Sequence, residues 1–368
     1  MLLVIILLHT TPPAAPKVPL IDLAFETERQ VVVDREVGQY LGHPTTCLLE
    51  DGQTVLCVYP KGHGKGGIVY KRSTDGGETW SNRLPTPENW ATSREVPTLH
   101  RIDDPVEGGH RILMFSGLAP TRMASTNDDG QTWTELQPIG EWGAIVAMAS
   151  HAQRDDGTVV VWCHDDGRFM PESLQPGPGF HVYQVESRDG GRTWSPPKAI
   201  AHKAGHHLCE PGLVKSPDQK TWALMLRENS RQHNGSVIFS TDEGRTWSEP
   251  KALPPALTGD RHTARYDQDG HLVICFRDTA RESISQGDWV AWIGSWDDIV
   301  QGTEGRCRVR LMDNHHRWDC AYPGVEVLPD GRMLAVTYGH WTQGESPWIA
   351  AVHFRASKLL KRLEVKNP

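Results

Sequence analysis

Glu210 stands eight residues before Asp218 in "CEPGLVKSPDQKTWALMLREN", and Arg227 stands nine after it. Tyr322 stands eight before Asp330 in "AYPGVEVLPDGRMLAVTY", and Arg277 eight after Asp269. Each of these Asp residues opens a turn with an apolar run on either side, so each segment reads as a β-hairpin. In an antiparallel hairpin, positions equally far before and after the turn are neighbours. The same count sets His43, Met148 and Arg261 level with Glu210 and Tyr322 at the starts of first strands. The Pro-Thr shared by "HPT" and "VPT" adds Val96. Tyr59, His164 and Tyr338 fall level with Arg227 and Arg277 at the ends of second strands. Guanidinium forks grip carboxylates bidentately, and a carboxylate can take the proton of a neighbouring phenol. Any ring of hairpins needs polar residues around its mouth. The grouping of two Arg, a Glu and a Tyr, rather than any one of them, points to a functional site.

Two repeats supply the elements that position these residues. Hairpin turns occur at Asp51-Gly52, Asp156-Gly157, Asp269-Gly270 and Asp330-Gly331, with looser versions at Asp218-Gln219 and Gly108-Gly109. Between them runs a second phrase, "STDGGETW" at 73–80, "SRDGGRTW" at 187–194 and "STDEGRTW" at 240–247, with a looser "TNDDGQTW" at 126–133. It supplies an Asp to bond backbone N–H groups, a Gly for a positive φ, and a Thr-Trp that re-enters a strand with a buried aromatic anchor. Its Trp residues recur at roughly 50–60 residues, the period of propellers and arrays. Six hairpins, each continued through such a turn into a third and fourth strand, make an all-β, six-bladed β-propeller spanning residues 17–368 as one domain. The ring should close by pairing "QVVVDR" (30–35) with "IAAVHF" (349–354), which covers an otherwise open edge.

Composition agrees with this reading. The 368-residue chain is rich in Gly, Pro and Trp, with short apolar runs and no long amphipathic helical stretch. A formal net charge of -8 without basic clusters argues against nucleic acid or an anionic membrane surface as partner. The start, "MLLVIILLHTTPPAAP", is too short an apolar run to span a bilayer. Residues 1–16 read as a secretory leader, which implies a secreted or periplasmic protein without other membrane insertion. Seven cysteines, without a Cys-x-x-Cys pair, suggest packed free thiols rather than a disulfide framework or zinc site. The clusters "HKAGHH" (202–207) and His315-His316 lack a carboxylate or Cys at ligand spacing, so solvated loop histidines and no metal are expected.

The Trp-turns resemble the Asp-box, "SxDxGxTW", of the sialidase superfamily, and the resemblance covers about residues 40–355. The resemblance implies hydrolysis of an acidic, sialic-acid-like glycoside without a cofactor. It gives the segment beginning at Glu210 the role of assisting a nucleophile, Arg227 that of binding the substrate carboxylate, and Tyr322 that of nucleophile. A sialoside carries its carboxylate on the anomeric carbon, so a Tyr activated by Glu meets less repulsion there than a carboxylate nucleophile would. Arg277 best matches the third Arg of the family triad, ahead of Arg261 and Arg281.

The chain also departs from the family. Where the family opens its first blade with Arg-Ile-Pro, this chain has Gly42-His43-Pro44, and where a Glu supports that Arg, it has Tyr338. The two departures agree, because a Glu without its Arg is an unpaired buried charge. The loop that carries the family's general-acid Asp reads "YPKGHGKGGIVYKR", leaving His63 as acid, with Asp165 and Asp166 as alternative carboxylates. Two other readings remain open. One is an acidic-glycan-binding propeller without turnover, and the other a polysaccharide lyase using a Tyr/His pair.

Overall fold

The computed structural model describes residues 15–366. The expected leader falls outside them over residues 1–14. Among the described residues six sheets are present, each built mainly of consecutive antiparallel strands. Their innermost strands are Thr45–Leu48, Thr98–Asp103, Ile145–Gln153, Leu208–Lys215, Gly259–Tyr266 and Gly324–Val327. Each packs against the next and the last against the first, so six blades form a ring.

Ring closure follows the expected pairing. Strand Gln30–Asp34 is the outer strand of the sixth blade, with Gln30 opposite Val352, Val31 opposite Ala351 and Val32 opposite Ala350. An N-terminal strand and the last strand of the chain thus share one sheet, and the edge of Trp348–Phe354 is covered. The fifth blade carries an extra strand, Leu20–Asp22, paired parallel to Cys307–Met312. The C-terminal helix Ala356–Lys366 buries Leu359 and Leu360 against the fifth- and sixth-blade core. This short amphipathic element went unrecognised in the sequence because its apolar stripe is only three leucines wide.

The Asp-box turns work as small hydrogen-bonded cages. Asp75 accepts from Thr79 N (2.9 Å), Thr79 Oγ1 (2.6 Å) and Ser73 Oγ (2.8 Å), and Asp189 and Asp242 repeat the pattern. The chief backbone partner is therefore four residues on. The Trp anchors are half-buried rather than buried, each packing its ring against a core between blades. All seven cysteines are free and buried, as packed thiols should be.

One backbone feature aims the site. At the start of the inner strand, His43 (φ 53°), Met148 (48°), Glu210 (50°), Arg261 (57°) and Ala321 (56°) all take left-handed conformations. Such a conformation costs a non-glycine residue about 1–3 kcal/mol and is kept where surrounding structure over-determines it. The ladder slips at the same places, between Cys209 and Gly212 and between Asp260 and Thr263. A bulge of this kind re-aims side chains toward the channel mouth. In the sixth blade the left-handed residue is Ala321 and Tyr322 follows it, and in the second blade Val96 is not left-handed.

Candidate active site

The bulges bring Glu210, Arg227 and Tyr322 together at a cavity of about 330 Å³ at the channel mouth. Tyr322 Oη donates to Glu210 Oε1 at 2.5 Å. Arg227 Nη1 donates to the same carboxylate oxygen at 2.6 Å and to Tyr322 Oη at 2.9 Å. Its other terminal nitrogen donates to Asn229 Oδ1. Burial alone would raise the Glu210 pKa, yet the Arg227 guanidinium, His164 and the Tyr322 hydrogen bond together outweigh it and the pKa is lowered. Burial, and then the Glu210 charge, raise that of Tyr322. The pair is thus an ionised carboxylate holding a neutral phenol through a short charge-assisted hydrogen bond, the arrangement of a general base on its nucleophile.

Arg277 lies behind this triangle rather than in the cavity wall. Its Nε donates to Asp260 Oδ2 at 2.8 Å and its Nη2 to the same oxygen. Its Nη1 donates to the carbonyls of Trp318 and Cys320. Asp260 is fully buried and gathers three guanidiniums. Besides Arg277 it holds Arg231 through a bidentate pair at 2.5 and 2.7 Å, and Arg227 Nε lies 3.1 Å away without aiming its hydrogen at the carboxylate. Burial opposes the charge on Asp260, and Arg227 and Arg277 more than reverse that, lowering its pKa. Asp260 escaped the sequence reading because the count from the turn selects Arg261. The bulge turns both neighbours to use, which no alternation pattern shows.

Arg261 is buried, with its guanidinium carbon 5.9 Å from the centre of the Tyr322 ring. Among the described residues it has no hydrogen-bonded or ion-paired partner. It lines a larger cavity, about 430 Å³, further along the channel. That cavity holds no Tyr–Glu pair, and its His100 and His151 bond backbone carbonyls.

His43 and Tyr338 meet where the register count set them. Nε2 of His43 lies 3.1 Å from Tyr338 Oη, and the rings stack with centres 4.4 Å apart. Burial and the neighbouring His63 keep the His43 pKa well below its usual value. Because its Nδ1 accepts the N–H of Gly64, the neutral ring carries its proton on Nε2 and donates to Tyr338. Tyr338 in turn donates to Asp319 Oδ1 at 3.2 Å. His63 reaches the cavity edge with its side chain 65% exposed, its Nδ1 2.7 Å from Tyr40 Oη and 3.3 Å from Asp319 Oδ1.

Asp165 is not brought to the cavity. It is fully buried, and its Oδ2 accepts the N–H groups of Gly167, Phe169 and Met170, which fixes its own loop. The cavity-facing carboxylate of that loop is Asp166, paired with Arg168 at 2.7 Å. Glu95, unnoticed in the sequence, does line the cavity. Burial lifts its pKa to about 7 against the N–H groups of Val96 and Val146. Nothing in the sequence marks Glu95, since it lies outside the eight-residue count and its burial depends on three blades meeting.

Known proteins agree with this architecture. The BNR repeat-like domain family matches residues 178–336, and the BNR/Asp-box repeat matches residues 71–82. A sialidase of Clostridium perfringens is 22% identical over 341 residues, 78% of this chain and 84% of that protein. A sialidase of Paraclostridium sordellii is 25% identical over 186 residues, 43% of this chain and 44% of that protein, so the match spans less than half of that relative. A protein of unknown function from Dyadobacter fermentans shares the fold with a TM-score of 0.70 at 15% identity, covering 88% of this chain and 97% of that one. The intramolecular trans-sialidase from Ruminococcus gnavus, in complex with oseltamivir carboxylate, gives a TM-score of 0.58 at 14% identity over 87% and 95% of the two chains. At such identities a structural likeness is one of fold, and the assignment rests on repeats, relatives and ring together. Together these support a divergent member of the sialidase superfamily.

Proposed function

We propose that the chain is a glycoside hydrolase that removes a terminal acidic, sialic-acid-like sugar, with Tyr322 as nucleophile and Glu210 as its base. The observation that carries this reading is the Tyr322–Glu210–Arg227 triangle at the cavity, with a 2.5 Å phenol–carboxylate hydrogen bond. In the reaction, Tyr322 Oη attacks the anomeric carbon as its proton passes to Glu210, and the glycosidic oxygen leaves with a proton. Water then releases the sugar from the tyrosine. Arg227 exchanges its contacts to Glu210 and Tyr322 for the sugar carboxylate. Arg277 and Arg231, through Asp260, hold that guanidinium from behind. The positive charge of Arg261, 5.9 Å from the centre of the Tyr322 ring, favours the phenolate character that develops as the proton leaves.

His63 and Glu95 are the donors available for the leaving oxygen. His63 stands at the cavity mouth, where a leaving alcohol exits, and burial lifts the Glu95 pKa to about 7, so part of it is protonated near neutral pH. The apolar start of the chain fits action outside the cell or in the periplasm. Among the described residues, no helix is long and apolar enough to cross a membrane.

The test is a screen of acidic glycosides with mass-spectrometric product detection, run beside Tyr322→Phe. Free acidic sugar released by the parent and not by the variant supports the reading. An unsaturated product absorbing in the near ultraviolet identifies a lyase instead, and binding without turnover identifies a glycan-binding propeller.

A further inference from the structure

We propose that His316, His340 and Asp319 form a binding site for a divalent transition-metal ion of the zinc class. Candidate ligand atoms of the three residues all lie within 4.8 Å of one another. The sequence hides the set. His316 and Asp319 belong to the segment between strands Cys307–Met312 and Gly324–Val327, and His340 follows strand Met333–Gly339 in the next hairpin. His315 N donates to His340 O at 3.0 Å and His340 N donates to Asn314 Oδ1 at 3.0 Å, so the segment and the strand end are fixed to each other.

The hydrogen bonding around His340 and Asp319 suits two members of a ligand set. His340 Nδ1 faces the Glu345 carbonyl at 3.2 Å, while its Nε2 faces Asp319 Oδ2 at 3.0 Å. Both ring nitrogens therefore meet acceptors. A neutral imidazole that gives its proton to the carbonyl turns a bare lone pair toward a carboxylate, a repulsion that a cation between them converts into two bonds. The carbonyl contact is also the outer-shell bond that fixes tautomer and ring orientation in metal-bound histidines. Asp319 is prepared in the same way. Its Oδ1 accepts from Tyr40 at 2.8 Å and from Tyr338 at 3.2 Å, which leaves Oδ2 directed into the cluster. The His316 ring stacks on that of His340 with centres 4.4 Å apart, and it is exposed. Two imidazoles and one carboxylate, with an open side toward solvent, suit an ion that keeps water in its remaining positions.

The position gives the site a consequence at the active centre. Asp319 is one hydrogen bond from Tyr338, which is one hydrogen bond from His43. A bound ion adds positive charge on the side where His43 stands in place of the family's first arginine. The binding claim itself does not depend on which glycoside the chain cleaves, and its test reads binding alone.

The full chain, stripped with a chelator and dialysed, is titrated with ZnCl2 by equilibrium dialysis and with CoCl2 by visible absorption. The expected result is one saturable ion per chain with cobalt ligand-field bands. Affinity should fall at least ~10-fold in His316→Ala and in His340→Ala, because each removes a ligand. His316 is exposed, so His316→Ala tests the site without endangering the fold. His206→Ala reports on another stacked histidine pair, His206 and His233 with ring centres 4.0 Å apart, and should keep the parental affinity. The proposal is overturned by absence of saturable binding, which leaves His340 and Asp319 as a plain ion pair. It is equally overturned by binding that survives His316→Ala and His340→Ala, or that His206→Ala abolishes.

Discussion

Nε2 of His43 and the hydroxyl of Tyr338 lie 3.1 Å apart across the junction of the first and sixth blades, with their rings stacked. The family's Arg and Glu would form an ion pair at these positions, and here a neutral pair takes their place. His43→Arg alone installs a cation without its partner. Tyr338→Glu alone puts a carboxylate beside Asp319, which already accepts from Tyr338 at 3.2 Å. The double replacement should recover about 1–3 kcal/mol of coupling in kcat/KM on a standard sialoside relative to the sum of the single effects. Strict additivity across the four proteins would show that the ion pair does not re-form.

Tyr322→Phe removes the oxygen proposed as nucleophile and keeps the ring between His43 and Arg261. Its unfolding midpoint should stay near the parental one, while kcat falls by at least ~100-fold. Glu210→Gln should lose activity similarly, because an amide cannot take the phenol proton. Near-parental turnover of purified Tyr322→Phe on the best substrate would rule the nucleophile out.

Asp260→Asn keeps the shape of the side chain and withdraws the charge that holds Arg227, Arg231 and Arg277. Leaving buried cations without their carboxylate costs about 3–5 kcal/mol. Urea unfolding should show a loss of that size, together with a fall in activity from a displaced Arg227. A change below about 1 kcal/mol would mean that solvent, rather than Asp260, balances the three guanidiniums.

Glu95 gives a pH test. Its folded pKa, about 7, lies above the ordinary 4.5, so the folded state holds this proton more tightly than the unfolded chain. The stabilisation is complete below about pH 4.5 and is lost as pH rises through 7, amounting to roughly 3 kcal/mol. Asp288, also lifted to about 7 by burial, contributes a slope of the same sign, so the informative quantity is a difference. Stability of the parent should fall more steeply than that of Glu95→Gln between about pH 5 and pH 8. Parallel curves would place Glu95 in water. If Glu95 is also the acid, the alkaline limb of kcat/KM disappears in Glu95→Gln and survives in His63→Ala.

The sequence by itself determined the ring. Turn chemistry is local, because an Asp-Gly hairpin and an Asp-box each need residues only a few positions apart, and their count yields six blades and the pairing of residues 30–34 with 349–352. The same local register put Glu210, Arg227 and Tyr322 at one end of the channel and His43 against Tyr338. Only the tertiary structure decided what surrounds them. The left-handed bulges turn Asp260 inward beside Arg261, place Arg277 behind the cavity and leave Arg261 without a hydrogen-bonded or ion-paired partner among the described residues. Asp165, equally polar in the sequence, closes its own loop instead. Glu95 and the Asp319–His340 contact depend on segments far apart in the chain meeting at blade junctions. Burial, charge balance and ligand geometry are sums over neighbours from several blades, and a periodic pattern along one chain carries no record of them.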